Sequence, residues 1–110
     1  MSVPFLVIVD YGLGNLFSVQ RGLQKVGVEN PPISNRKEAI QAAGRLILPG
    51  VGAFGDGMRN LQDLGIIPAI KEFAASGRPI LGVCLGMQLI MSRSEEFGRH
   101  EGLGLVPGEV

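Results

Sequence analysis

Arg78-Pro-Ile-Leu-Gly-Val-Cys84-Leu-Gly-Met-Gln88-Leu-Ile90 changes character at its centre. Arg78 to Val83 reads as a strand entering Cys84. From Leu85 to Arg93 the pattern is helical, so Cys84 stands at a strand-to-helix turn. The same succession recurs on the N-terminal side. Arg45-Leu-Ile-Leu-Pro49 is a second buried strand, followed by four glycines in Gly50-Val-Gly-Ala-Phe-Gly-Asp-Gly57. A helix is expected over Met58 to Leu64. Another starts near Pro68, turns Ile70, Phe73 and Ala74 inward, and stops at Gly77. Further out, Phe5-Leu-Val-Ile-Val9 is a third buried strand, ending at Asp10 and the tight loop Tyr11-Gly-Leu-Gly14. Asn15 caps a helix whose apolar positions Leu16, Val19, Leu23 and Val26 step by 3, 4 and 3, and Gly27 ends it. Pro31-Pro32 permits only a short edge strand between Val28 and Ser34. Ser34 or Asn35 then caps a short helix to Ala43, closed by Gly44. Toward the C-terminus, Ser94 to Gly104 is expected as a polar loop, Val106-Pro-Gly108 as a turn, and Glu109-Val110 as the first step of a new strand. This alternation predicts an α/β fold with a doubly wound, mainly parallel sheet.

Composition narrows the function. Lys+Arg and Asp+Glu are 10 each, so the formal charge is 10 − 10 = 0. That excludes the basic footprint of a nucleic-acid or anionic-membrane binder. Hydrophobic residues at 45% against 18% charged exclude a disordered tail. The Phe5–Val9 run is too short to span a bilayer. The start, MSVPFLVIVD, has no basic n-region and no signal peptide is read there. A single cysteine makes no internal disulfide, and the compartment is read as the cytosol. Glycine is in excess, 17 of 110 residues without a G-X-Y period, so it serves turns and loops that approach a ligand closely. There is no repeat, linker or low-complexity segment.

A lone cysteine in such a chain is usually a buried small hydrophobe. Gly82-Val-Cys84-Leu-Gly86 argues otherwise, because G-x-C-x-G between strand and helix is the thiol version of the nucleophile elbow. Glycines two residues on either side avoid clashes that a Cβ would cause. The following helix would aim its first N–H groups at the sulfur and favour the thiolate. A thiolate attacking a carbonyl needs donors for the oxyanion. The Leu85 N–H, next after the nucleophile, is one candidate. The Gly50-Val51-Gly52 loop offers the other, since glycines around Val51 let a peptide N–H turn toward the substrate. Gln88, four residues after Cys84, shares its helical face and can reach the mouth of the site.

Other signals are weaker. Gly50-Val-Gly52-Ala-Phe-Gly55 matches the dinucleotide pattern G-x-G-x-x-G, but its acidic partner would be Glu72, inside a helix. Gly12-Leu-Gly14 fails the same pattern at Phe17. His100, the only histidine, sits between Arg99 and Glu101 with nothing to orient it as a base, and reads as a surface residue. One Cys and one His make no metal site.

Together Gly82-Val-Cys84-Leu-Gly86-Met-Gln88, Asp10-Tyr-Gly-Leu-Gly-Asn15, Pro49-Gly-Val-Gly52-Ala-Phe-Gly55-Asp-Gly57-Met58 and Gly102-Leu-Gly-Leu-Val-Pro-Gly108 resemble the class I glutamine amidotransferases. Within them the chain is similar to the glutaminase subunits of imidazole glycerol phosphate synthases, from about Val7 to Val110. The resemblance implies a flavodoxin-like fold and hydrolysis of glutamine through a thioester on Cys84. It implies ammonia transfer to a cyclase subunit with a (β/α)₈ barrel, in a heterodimer serving histidine biosynthesis, with no cofactor. It also implies that Gly52, Gln88 and Glu96 hold glutamine, that Gly50, Val51, Gly52 and Leu85 form the oxyanion hole, and that Gly12, Gly14 and Asn15 face the partner.

One departure matters. The family's triad includes a His and a Glu in a His-Pro-Glu motif, and none occurs here. The chain is therefore expected to be the N-terminal part, residues 1–110, of a single amidotransferase domain. Alone it should be inactive, and it should self-associate or retain a C-terminal fragment. Two other readings stay open: a cysteine-elbow protein of the DJ-1/PfpI type, or a non-catalytic fragment acting as an interaction surface. The first wants an acidic residue on an early strand facing the thiol, and the only candidate is Asp10.

Overall fold

The computed structural model describes residues 5–110; Met1–Pro4, part of the start read above as leaderless, lie outside the described residues. In chain order the elements are β1 (Leu6–Val9), α1 (Leu16–Lys25), β2 (Ile33–Ser34), α2 (Lys37–Ala42), β3 (Arg45–Leu48), α3 (Phe54–Asp63), α4 (Ile67–Ala75), β4 (Ile80–Gly82), α5 (Leu85–Leu89), β5 (Met91–Ser94), β6 (His100–Glu101) and β7 (Val106–Glu109). The main sheet runs β2-β1-β3-β4 and is parallel throughout, with Val7 opposite Leu46 and Ile47 opposite Leu81. The two-residue β2 takes an edge, as Pro31-Pro32 requires.

Pleating divides the strand side chains between two faces. Val7, Val9, Leu46 and Leu48 join Ile40 of α2, Phe54 and Leu61 of α3, Ile70 and Phe73 of α4, and Leu85 and Leu89 of α5 in one core. Ile8 and Ile47 point the other way, and Ile47 lines an open groove that Leu23 of α1 borders. The sheet is thus wound on both faces, and every strand–helix turn opens at its C-terminal edge. That edge carries the site. Among the described residues no helix is long and apolar enough to cross a membrane.

Four sequence expectations are corrected. The helix after Cys84 stops at Leu89 instead of reaching Arg93. The N–H groups of Leu103 and Leu105 capture the Leu89 and Ile90 carbonyls at 2.8 Å, and this draws Met91–Ser94 into a strand. Ser94–Gly104 is not all loop, and Val106-Pro-Gly108, expected as a turn, lies within β7. β6 pairs antiparallel and β7 parallel with β5, giving a second, three-stranded sheet in the order β6-β5-β7. The helix expected from Met58 starts four residues earlier at Phe54, so two of the loop glycines, Gly55 and Gly57, are helical.

Candidate active site

Cys84 is the second of the two residues between β4 and α5 and the N-cap of α5, with φ 55° and ψ −118°, a region that side chains rarely enter. The flanking glycines make this turn feasible. A Cβ on Gly82 would lie 2.7 Å from the Met87 Cα, and one on Gly86 would overlap the Leu48 carbonyl oxygen. The thiol is exposed at the C-terminal edge of the sheet. Gln88 lies one turn along α5, half-buried, its N–H bonded to the Cys84 carbonyl at 3.3 Å.

The Gly50–Gly52 segment runs beside the elbow, with φ 155° at Gly50 and 118° at Gly52. The structure brings Val51 and Leu85 together in an unexpected way. The Leu85 N–H donates to the Gly50 carbonyl at 3.1 Å, and the Val51 N–H donates to the Leu13 carbonyl at 3.1 Å. Gly50 C=O and Val51 N–H are the two ends of one peptide group. In this conformation that single group holds both candidate oxyanion donors in internal bonds.

The loop after β1 lies against the same segment. Tyr11, buried, donates its hydroxyl to the Pro49 carbonyl, and Asn60 Nδ2 of α3 donates to the Tyr11 carbonyl at 2.9 Å. Burial pushes the Tyr11 phenol up from its ordinary value, so it stays a donor. The Gly12 N–H bonds the Asp10 carboxylate at 3.1 Å, and Gly14 packs near the Gly50 backbone. Asn15 caps α1 by accepting from the Ser18 N–H at 3.1 Å. Sequence pattern does not single out Tyr11, Leu13 or Asn60 as site residues. The one signal for them is a sole tyrosine two residues past a buried strand.

Glu96 arrives from the β5–β6 hairpin and accepts the Phe54 N–H at 3.1 Å, at the start of α3 and two residues past Gly52. His100 packs its ring on Gly55, where a Cβ would come within 2.7 Å of Cε1, and its Nε2 faces the Phe97 carbonyl at 3.3 Å. Its bonded partner is thus this carbonyl and not Cys84. Among the described residues no group of His, Cys, Asp and Glu could hold a metal ion.

Known proteins resemble this chain along most of its length. The family described as glutamine amidotransferase class-I matches residues 7–100. The imidazole glycerol phosphate synthase subunit HisH of Sulfurimonas denitrificans is 56% identical over 105 residues, 96% of this chain and 50% of that protein. The HisH of Aquifex aeolicus is 47% identical over 104 residues, 94% of this chain and 50% of its own length. HisH 1 of Legionella pneumophila (strain Lens) is 56% identical over 103 residues, covering 94% of this chain and 48% of its own. This chain spans about half the length of these curated relatives. A solved structure titled as a glutamine amidotransferase superposes with a TM-score of 0.78 at 20% identity, over 94% of this chain and 54% of that one, a likeness of fold.

Proposed function

This chain belongs to the class I glutamine amidotransferase family, and from that premise we propose that the full-length protein hydrolyses glutamine and supplies the ammonia to a cyclase subunit, in imidazole glycerol phosphate synthesis for histidine. The observation that carries the reading is the Cys84 elbow, a strained and exposed thiol beside two turnable backbone donors. The relatives' names, subunits of imidazole glycerol phosphate synthase, support a partner in that synthase; in this reading the partner is a (β/α)₈-barrel cyclase, paired as a heterodimer whose overall reaction includes a lyase step. The same names support a biosynthetic enzyme, and this reading places it in the cytoplasm. Residues 1–110 form the N-terminal part of one amidotransferase domain in this reading, supported by their coverage of half the relatives' length.

Chemistry follows from the thiol. Cys84 Sγ attacks the carboxamide carbon of glutamine, a C–S bond forms, and the electron pair of the C=O moves to oxygen. Collapse expels ammonia and leaves a γ-glutamyl thioester; water then releases glutamate and the thiol. Gly52, Gln88 and Glu96 hold the substrate. A base must take the proton from water and deliver one to the leaving nitrogen. A His-Pro-Glu segment elsewhere in the full-length protein supplies it, and His100 does not.

The oxyanion needs Leu85 and Val51 N–H free, and a turn of the Gly50–Val51 peptide releases both at once. Gly50 C=O leaves Leu85, and Val51 N–H leaves Leu13 and swings toward the side its carbonyl vacates. Glycine on both sides of Val51 makes that turn inexpensive. Leu13 lies between Gly12 and Gly14, in the loop assigned to the partner together with Asn15. Docking of the cyclase there is expected to raise glutamine turnover strongly. The decisive test is Cys84→Ala in the full-length complex. It abolishes glutamine hydrolysis and leaves ammonia-dependent synthesis by the cyclase intact. Glutaminase activity persisting in Cys84→Ala would exclude the thioester route.

A further inference from the structure

We infer that Tyr11 is a positioning residue for glutamine hydrolysis, its hydroxyl fixing the Pro49 carbonyl so that the next peptide, Gly50–Val51, turns alone. The inference rests on the glutaminase reading above. Three observations carry it. The Tyr11 hydroxyl donates to the Pro49 carbonyl across 38 residues of sequence, from a side chain only 3% exposed. The position of a Gly50 Cβ is filled by that hydroxyl, with the ring's Cζ 3.0 Å away, so residue 50 must be glycine for the phenol to fit. The Pro49 carbonyl also lies against the elbow, 3.0 Å from where a Gly86 Cβ would sit.

Tyr11 is itself held at its other end, where Asn60 Nδ2 grips its carbonyl. The phenol is therefore a post anchored to α3 and bonded to the last fixed carbonyl before the mobile one. If the Pro49 carbonyl were loose, a turn of the Gly50–Val51 peptide would be shared with its neighbour. The Val51 N–H would then stop short of the oxyanion. A hydroxyl that acts only on the placement of an oxyanion donor affects the transition state more than bound glutamine, so its loss should appear in kcat.

The test uses the full-length protein with its cyclase partner saturating. Tyr11→Phe is expected to lower kcat for glutamine hydrolysis about tenfold, with KM changed less than about twofold. Iodoacetamide should alkylate Cys84 at the wild-type rate, since that reaction needs no oxyanion donor. A kcat within about twofold of wild type overturns the inference. So does a KM rise that accounts for the loss, or slowed alkylation, since each marks a general packing role. A second measurement needs no variant. With ¹³C-labelled wild-type protein, adding the partner should move the Gly50 carbonyl resonance and leave Pro49 in place; movement of both, or of neither, overturns the proposal. Cys84→Ala separates the two levels. Should it stay active, the glutaminase reading fails, whereas an inactive Cys84→Ala beside a wild-type Tyr11→Phe defeats only the role of Tyr11.

Discussion

Cys84 holds a backbone conformation that a glycine would hold more easily. With φ 55° and ψ −118° it lies in a sparsely populated region, a strain of order 1–3 kcal/mol for a residue with a Cβ. In the proposed mechanism the position keeps a side chain because the thiol is needed there. Cys84→Gly and Cys84→Ala both remove the sulfur, and only Gly also relieves the strain. Cys84→Gly is expected to be more stable than Cys84→Ala by about 1–2 kcal/mol in urea denaturation. Equal stabilities would show that the elbow is unstrained. This site was legible in the sequence because its logic is local: two glycines spaced around a thiol between strand and helix. The pairing of Leu85 N–H with Gly50 and of Val51 N–H with Leu13 was not. Backbone donors have no side-chain signature, and segments 35 or more residues apart meet only after the sheet forms. The Tyr11 hydroxyl was hidden for the same reason.

At the scale of elements, the parallel sheet was readable because β1, β3 and β4 are short apolar runs closed by turn residues, and Asn15 announces α1. The failures lie where tertiary contacts overrule local pattern. Leu85–Arg93 reads as helix, yet segment 102–106 takes the carbonyls of Leu89 to Ser92 and makes a strand there. Gly55 and Gly57 read as loop, yet α3 begins at Phe54, where no residue of its own caps the first turn. Glu96 does so from the β5–β6 hairpin, through the Phe54 N–H. A carboxylate at a helix N-terminus satisfies an orphan donor and opposes the positive end of the dipole. Glu96→Ala is expected to cost about 1 kcal/mol and to speed amide exchange of Phe54 about five- to tenfold. Glu96→Gln, which keeps an acceptor, should fall between. Unchanged exchange in Glu96→Ala would show that α3 starts without help from the hairpin.

Among the described residues, one face of the main sheet is well covered and the other is open. α2 to α5 bury Val7, Val9, Leu46 and Leu48, whereas the opposite face carries a groove of about 690 Å³ lined by Phe5, Leu23, Val28, Ile47 and Leu81 among others. Phe5 is 67% and Leu81 59% exposed at its rim, and among the described residues nothing pairs with the outer edge of β4 beside it. Each such side chain removed from water contributes roughly 1.5–3 kcal/mol. Covering three or four of them rivals the 5–15 kcal/mol that holds a typical domain together. A formal charge of zero puts little repulsion against association. Expressed by itself, the 110-residue chain is therefore expected to associate through this face, with a scattering mass that rises with concentration. Leu81→Lys places a charge on the exposed edge strand and should shift the population toward monomer without harming the core, since Leu81 contributes nothing to the buried cluster. The competing outcome is equally concrete. A monomer of 11.7 kDa that unfolds cooperatively at every concentration would mean that the groove is compatible with a stable domain and that the open face needs no cover.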